Sequence, residues 1–125
     1  MITVIASIHV KSGHTAQFLD IFKSNVPAVL AEEGCIEYYP AVDVQTGLPP
    51  QELDENVVTV MEKWENPDAL KNHLGTPHML AYREQVKEIV EKLTVKVLKK
   101  ARPDRREGNY LAFRTGSALG CSVRD

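Results

Sequence analysis

The sequence predicts an α+β domain with the element order β-α-β-β-α-β, in which helices cover one face of an antiparallel sheet. Segments 2–10, 57–65 and 94–100 alternate apolar and polar residues, as half-buried strands do. Segments 18–30 and 79–93 carry apolar residues at intervals of three and four, which is typical of amphipathic helices. This order is the split βαβ, or ferredoxin-like, arrangement.

The first half of the chain supplies three strands and one helix. Strand one has an apolar face formed by Ile2, Val4, Ala6, Ile8 and Val10. The helix after it ends before Gly34, because glycine tolerates the left-handed backbone at a helix end. Strand two covers about 35–43, and a loop rich in Gly, Pro and acids leads to strand three. Strand three places Glu62 and Trp64 on the same face as its valines.

The second helical region is predicted to be broken in two. Asn66-Pro67 and Thr76-Pro77 each combine a capping residue with proline at the first helical position, and Gly75 separates the two helices. The apolar residues of the second of these helices are Met79, Tyr82, Val86, Ile89 or Val90, and Leu93. Strand four, 94–100, completes the sheet.

Length and charge define one domain, residues 1–101, followed by an extension of unknown role, residues 102–125. The domain carries 10 basic and 14 acidic residues, and the extension carries five arginines and three acids. A formal charge of −2 gives no reason to expect nucleic acid as a partner. Two distant cysteines and the lack of a signal peptide or a membrane-spanning segment predict a cytoplasmic protein.

The strand pattern also predicts a homodimer. Helices on one side leave the other face of the four strands uncovered, and strand one is apolar there at Ile5. An uncovered apolar face is an association surface, so we expect two chains to pack sheet to sheet.

The stretch "NHLGTPHMLAY" contains the most informative polar residues. His73 lies near the end of one helix and His78 near the start of the next, so the helix break brings both towards one region. The two histidines are open to three interpretations: metal ligands together with Glu62, acid–base or substrate-contacting groups, and surface residues. Their spacing is not a known ligand pattern, so no metal is expected.

Other candidate residues surround this region. Trp64 is either a core aromatic or a flat wall for a planar ligand, and Glu62 faces either a pocket or a buried partner. Tyr82 lies one turn after His78, and Tyr38 or Tyr39 reaches the same side. The sequence contains no Gly-rich phosphate loop and no nucleophile elbow, which argues against nucleotide, flavin and phosphoryl-transfer functions.

Four stretches resemble the antibiotic-biosynthesis monooxygenase family, and within it the quinol monooxygenases. They are "MITVIASIHVKSG", "VPAVLAEEGCIEYYPAVD", "VMEKWENPDALKNHLGTPHMLAY" and "VKVLKK", within residues 1–100. The resemblance implies ferredoxin-like subunits paired into a dimeric α+β barrel, with a pocket between each sheet and its helices. It also implies oxygen chemistry without flavin, haem or metal. Haem-degrading relatives use an asparagine and a histidine where Ser7 and Tyr82 stand here, and only Trp64 is retained, so haem degradation is disfavoured.

We therefore expect a cofactor-independent monooxygenase that oxidises a quinol or related polyphenolic aromatic with dioxygen. His73 and His78 would act as base and oxyanion partner, and Trp64 and Tyr82 would hold the ring. Glu62 would orient a histidine or bind a hydroxyl. Two further substrate-contacting residues are expected, Ser7 and Tyr38. A non-catalytic ligand-binding dimer and an acid–base isomerase or degradation enzyme for a small carbonyl compound remain alternatives.

Overall fold

The computed structural model describes residues 1–101, which form a four-stranded antiparallel sheet with three helices packed on one face. The elements are β1 (Ile2–Val10), α1 (Thr15–Leu30), β2 (Cys35–Ala41), β3 (Val57–Trp64), α2 (Pro67–Leu74), α3 (Pro77–Val86) and β4 (Val90–Leu98). The strand order across the sheet is β2-β3-β1-β4. The predicted α+β, ferredoxin-like subunit is confirmed, and the extension 102–125 lies outside the described residues.

The period-two pattern of the central strands builds the core. Both β1 and β3 alternate buried with half-buried residues, and their buried positions face each other in register, as in Val4 opposite Glu62 and Ala6 opposite Val60. From the helix side, Phe18 is fully buried against this face. Burying one such side chain contributes about 1.5–3 kcal/mol, so the core between sheet and helices fixes the face that each strand presents.

The two predicted helix starts are both confirmed. The Asn66 side chain accepts a 2.8 Å hydrogen bond from the backbone N–H of Ala69, and Thr76 caps α3 in the same way at Met79. Each cap satisfies a backbone donor that the first helical turn leaves without a partner. Because only Gly75 and Thr76 separate α2 from α3, the last turn of α2 lies directly beside the first turn of α3.

The predicted length of the last helix was wrong. The apolar spacing suggested a helix continuing to Leu93, but α3 ends at Val86, a turn covers 87–89, and β4 begins at Val90 rather than Thr94. One extra residue in β4 opposite His9 and Val10 shifts the register. Because this bulge interrupts the alternation of apolar and polar residues, the start of β4 cannot be recognised from that alternation. Strand β2 is also shorter than predicted and ends at Ala41.

The edge strand β4 lies beyond the reach of the helices. Leu93, Val95 and Val97 are on the helix side of the sheet, opposite Ile8, Ala6 and Val4, yet each is more than half exposed.

None of the helices within residues 1–101 has the length and apolarity needed to cross a bilayer.

Candidate functional site

A half-open cavity of about 570 Å³ lies between the sheet and the helices. This volume is in the range of small-molecule sites. Its apolar lining includes Val4, Ala6, Ile8, Phe22, Leu70 and Met79. On the β4 side the lining residues are the exposed Leu93, Val95 and Val97, so the cavity opens towards that edge. The polar residues of the lining are few: Tyr38, Glu62, His73, Tyr82, Arg83 and Lys87.

Glu62 places a buried carboxyl group in this apolar cavity. Its side chain is only 7% exposed, and Nε1 of Trp64 donates a 2.9 Å hydrogen bond to Oε1. No residue within the described part of the chain donates a hydrogen bond to Oε2. Burial raises the pKa of Glu62 to about 7, although the Trp64 hydrogen bond acts in the opposite direction. Near neutral pH the carboxyl group can therefore either accept or donate a proton.

His73 adds an oriented imidazole to the cavity lining. The residue is 2% exposed, and its Nδ1 lies 3.1 and 3.0 Å from the two carboxylate oxygens of Glu32. An ionised carboxylate only accepts hydrogen bonds, so Nδ1 carries the hydrogen and Nε2 keeps its lone pair. The ring is held between Trp64, with centroids 4.7 Å apart, and Tyr38, at 5.5 Å. Burial lowers the pKa of His73, and Glu32 partly restores it.

His78 contacts the same carboxylate from the outer side. Its Nε2 lies 2.5 Å from Oε2 of Glu32 and 3.2 Å from Oγ1 of Thr76. The His78 side chain is 28% exposed and does not line the cavity. The helix break thus brings both histidines together as expected, but on opposite sides of Glu32.

Aromatic rings form one wall of the cavity, at its α1 side. Phe22 stacks on Tyr38, with centroids 5.3 Å apart and ring planes 15° apart, and meets Tyr82 edge to face at 5.7 Å. Burial raises the pKa of both tyrosine hydroxyls, so both stay neutral at physiological pH. Neutral phenols can donate hydrogen bonds to a ligand oxygen.

The structure brings together only part of the predicted site. Glu62, His73, Tyr38 and Tyr82 line one cavity. Trp64 is fully buried behind it and supports Glu62 and His73 without lining the space.

Ser7 does not belong to this site. Its position in the alternation of β1, between the buried Ala6 and Ile8, places its side chain on the opposite face of the sheet. The expectation that Ser7 contacts a ligand in this cavity is therefore corrected.

Sequence reasoning missed Glu32 and the cations at the cavity. Glu32 and Glu33 both follow α1 within "EEG", and a one-dimensional pattern gives no reason to choose the one that contacts His73. Arg83 and Lys87 are exposed and line the cavity. They are four residues apart, next to Tyr82 and Val86, so helical spacing could have revealed a cationic side of the cavity.

The interpretation of the histidines as metal ligands receives no support from the side-chain geometry. Within residues 1–101, no group of three or more His, Cys, Asp or Glu side chains is arranged to hold a metal ion. The nitrogen of each imidazole that faces Glu32 is hydrogen-bonded to the carboxylate instead.

Curated proteins with similar sequences come from enteric bacteria. The probable quinol monooxygenase YgiN of Escherichia coli is 42% identical over 100 residues, which cover 78% of this chain and 96% of that protein. The protein of the same name from Shigella flexneri shows the same identity and coverage.

Solved structures share the fold. Protein SO0527 from Shewanella oneidensis superposes with a TM-score of 0.66 at 26% identity, covering 78% of this chain and 87% of that one. A putative antibiotic biosynthesis monooxygenase from Nitrosomonas europaea gives a TM-score of 0.70 at 17% identity, covering 82% and 100%.

The sequence pattern that defines the family "Antibiotic biosynthesis monooxygenase" matches residues 1–85, more than half of the chain. The family pattern and the sequence relatives agree, and they support an activity of the monooxygenase type. The chain belongs to the antibiotic biosynthesis monooxygenase family.

Proposed function

We propose that this protein is a cofactor-independent monooxygenase that oxidises a quinol or a related polyphenolic aromatic with dioxygen. One observation carries the proposal: an apolar cavity holds a carboxyl oxygen of Glu62 and a nitrogen of His73 that have no hydrogen-bond partner within residues 1–101. Two such groups suit a flat ligand that carries two hydroxyls. The name of the Escherichia coli relative, a probable quinol monooxygenase, supports the same substrate class.

The chemistry requires little from the protein beyond proton removal. The anion of an electron-rich hydroquinone transfers one electron to dioxygen, and the resulting semiquinone and superoxide combine into a ring hydroperoxide. Loss of water from the hydroperoxide leaves one oxygen atom on the ring as a hydroxyquinone, so all four electrons that dioxygen accepts come from the aromatic and no further redox group is needed. A phenolic hydroxyl of pKa about 10 lies roughly three units above neutral pH, which corresponds to about 4 kcal/mol. A positioned base and hydrogen-bond donors to the oxyanion supply that free energy.

In this proposal His73 is the base. Glu32 holds Nδ1–H, so Nε2 is left to accept the hydroxyl proton, and the carboxylate stabilises the imidazolium that forms. Because burial lowers the pKa of His73, the neutral, accepting form is the one present at pH 7. Glu62 binds the second hydroxyl through Oε2, and the Tyr38 and Tyr82 rings hold the aromatic plane.

This assignment revises the expected pairing of His73 with His78. His78 lies outside the lining, so it is not placed as a partner of the substrate oxyanion. Glu62 is instead the second polar contact of the substrate, as the acceptor for its other hydroxyl, because its carboxyl group is buried, faces the cavity and has an oxygen available. The exposed Arg83 adds positive charge at the cavity, which favours an anionic form of the ligand, whereas Lys87 is paired with Glu84 at 2.6 Å.

Oxygen consumption with a reduced naphthoquinone tests the proposal. We expect uptake by the wild-type chain and a loss of about 10²- to 10⁴-fold in His73→Ala, the range for removing a general base. His14→Ala is the matched control, because His14 lies before α1 and is not part of the cavity lining. Binding of quinones without oxygen uptake would favour a ligand-binding dimer. Turnover of a small dione without oxygen would favour an isomerase.

A homodimer packed through the sheets is part of this proposal. On the face away from the helices, a row of apolar side chains crosses three strands, with Met61 directly opposite Ile5 on β1 and Tyr39 on β2. Tyr39 is 48% exposed in the single chain. Apolar rows of this kind are covered in stable proteins, and a second copy of the same face would cover this one.

Sedimentation tests the dimer. Met61→Lys puts a charge in the centre of the row, and we expect it to shift the wild-type dimer to monomer at micromolar concentration. Leu80→Lys is the control, because Leu80 is 55% exposed on α3 and lies outside the row. A wild-type chain that is already monomeric would remove the dimer from the proposal and leave the chemistry of the cavity standing.

A further inference from the structure

A single carboxylate links the cavity to the protein surface. Glu32 follows the end of α1, and its side chain is 10% exposed. Its oxygens contact the buried Nδ1 of His73, at 3.0 and 3.1 Å, and its Oε2 also contacts Nε2 of the more exposed His78, at 2.5 Å. The three groups form a continuous chain from the cavity lining to solvent.

Thr76 indicates where the proton of His78 lies. Its hydroxyl donates a 2.9 Å hydrogen bond to the carbonyl oxygen of His73, so its oxygen can act only as an acceptor towards His78. Nε2 of His78 therefore donates, shared between the Thr76 hydroxyl and the Glu32 carboxylate. Glu32 accepts hydrogen bonds from both imidazoles, one on each side.

We infer that Glu32 couples the protonation of His73, inside the cavity, to that of His78, at the surface. A proton that His73 takes from a ligand is then matched by a proton that His78 releases to water. The identity of the ligand rests on the proposed function, but the coupling is a property of the protein without ligand.

The proton balance is simple. The inferred transfer starts from the form in which Glu32 is ionised, His73 is neutral and His78 is an imidazolium, so that the cluster has no net charge. The ligand O–H bond breaks, and its proton binds Nε2 of His73. The outer N–H bond of His78 then breaks, and that proton goes to water. The cluster is again neutral, because one carboxylate balances one imidazolium at a time.

Other titratable and charged groups face the cluster and set the background for a test. Cys35 and Tyr38 approach Glu32 from β2, Glu62 approaches it from β3, and Arg83 approaches His73 from α3. Both His78 and Arg83 lower the pKa of His73, whereas Glu32 raises it. Glu32 and His78 thus shift the pKa of His73 in opposite directions.

These opposite effects on the pKa of His73 can be tested by NMR titration. In the full chain without ligand, the ring ¹⁵N and ¹H signals of His73 are followed over pH in the wild type, His78→Ala and Glu32→Gln. We expect His78→Ala to shift the His73 midpoint upwards and Glu32→Gln to shift it downwards. Glu33→Gln is the matched control, since it removes the neighbouring, exposed carboxylate and should leave the midpoint unchanged.

A merely structural role for Glu32 predicts a different result. Loosened packing would expose His73 in both variants and move its midpoint in the same direction, because burial lowers its pKa. A His73 titration in His78→Ala that superimposes on the wild type would overturn the inference. His78→Asn keeps a hydrogen-bonding side chain but has no ionisable ring. If either other variant fails to fold, the His73 midpoint in His78→Asn shows whether the charge of His78 affects His73. Since none of these measurements needs turnover, coupling without oxygen uptake would reject the proposed function alone.

Discussion

The Trp64 indole and the Glu62 carboxyl project from the same face of β3, and the indole Nε1 donates a 2.9 Å hydrogen bond to Oε1 of the acid. One carboxyl oxygen is thereby fixed from behind, while Oε2 is left for the cavity. Trp64 acts on a ligand only through Glu62 and His73, because it is fully buried and does not line the space. The buried acid therefore carries the clearest consequences for stability and activity.

Glu62 should make the protein less stable as pH rises. Its pKa is raised from 4.5 to about 7 in the folded state, so between these values the folded chain binds more protons than the unfolded chain. Stability then falls with rising pH across that window, by up to about 3 kcal/mol. Glu62→Gln removes the titration, so we expect it to be more stable than the wild type at pH 8 by as much as this amount. Urea unfolding at pH 5 and pH 8 measures the difference.

Glu65→Gln is the control for this measurement, because Glu65 is exposed just beyond β3. It should change stability equally little at both pH values. If the difference between Glu62→Gln and the wild type were the same at pH 5 and pH 8, the carboxyl group would not be titrating in the cavity.

Activity should rise with pH over the range in which stability falls, because both depend on the ionisation of Glu62. The ionised form of Glu62 accepts a hydrogen bond from a substrate hydroxyl, so oxygen uptake should rise with pH around 7. We expect Glu62→Gln to lower kcat/KM by about 10- to 100-fold, the cost of losing one hydrogen bond to a charged group. The variant should also lack the inflection near pH 7 in the plot of kcat/KM against pH. An inflection that persists unchanged in the variant would assign it to another group.

Much of the fold follows from local sequence signals. The alternation of β1 and β3 and the proline-led starts of α2 and α3 act within a few residues, and all of them are confirmed. The end of α3 was mispredicted because Val86, Val90 and Leu93 keep helical spacing across a turn. Spacing alone cannot distinguish that pattern from a strand that begins with a bulge.

The candidate site was only half predictable for a related reason. Residues on neighbouring elements, such as His73 and His78, could be grouped because a short break joins their helices. Glu32 could not, since it is 41 residues from His73 and meets it only after the turn that follows α1 packs against α2. Ser7 was misplaced because a strand has two faces, and the face that borders a cavity depends on where the helices lie.

Filling the cavity mouth should block binding without touching the polar groups. Leu74 lines the cavity yet is 49% exposed, so a larger side chain can be placed there with little change to the core. We expect Leu74→Trp to weaken binding of a naphthoquinone by about tenfold or more, since overfilling a site costs about 1–3 kcal/mol. Calorimetric titration measures it. Leu80→Trp adds the same ring on α3 outside the cavity lining, and equal weakening there would place the ligand elsewhere.

The turn that carries Glu32 depends on a close contact at Gly34. This residue has φ 87°, and a Cβ placed on it would lie 2.6 Å from Cβ of Ala69 on α2, one turn before His73. The contact thus holds the Glu32 turn against the helix that carries His73. Gly34→Ala adds a left-handed penalty of about 1–2 kcal/mol and a clash of about 1–3 kcal/mol.

A substitution at Gly13 measures the backbone penalty without the clash. It has φ 84°, but a Cβ there would meet nothing within 4 Å, so Gly13→Ala should show only the backbone penalty in urea unfolding. Ala69→Gly removes the clashing methyl group, and a double-mutant cycle with Gly34→Ala should recover the excess loss. Equal destabilisation by the two glycine variants would show that α2 yields at Ala69. In that case the Glu32–His73 contact would not depend on the small residue at position 34.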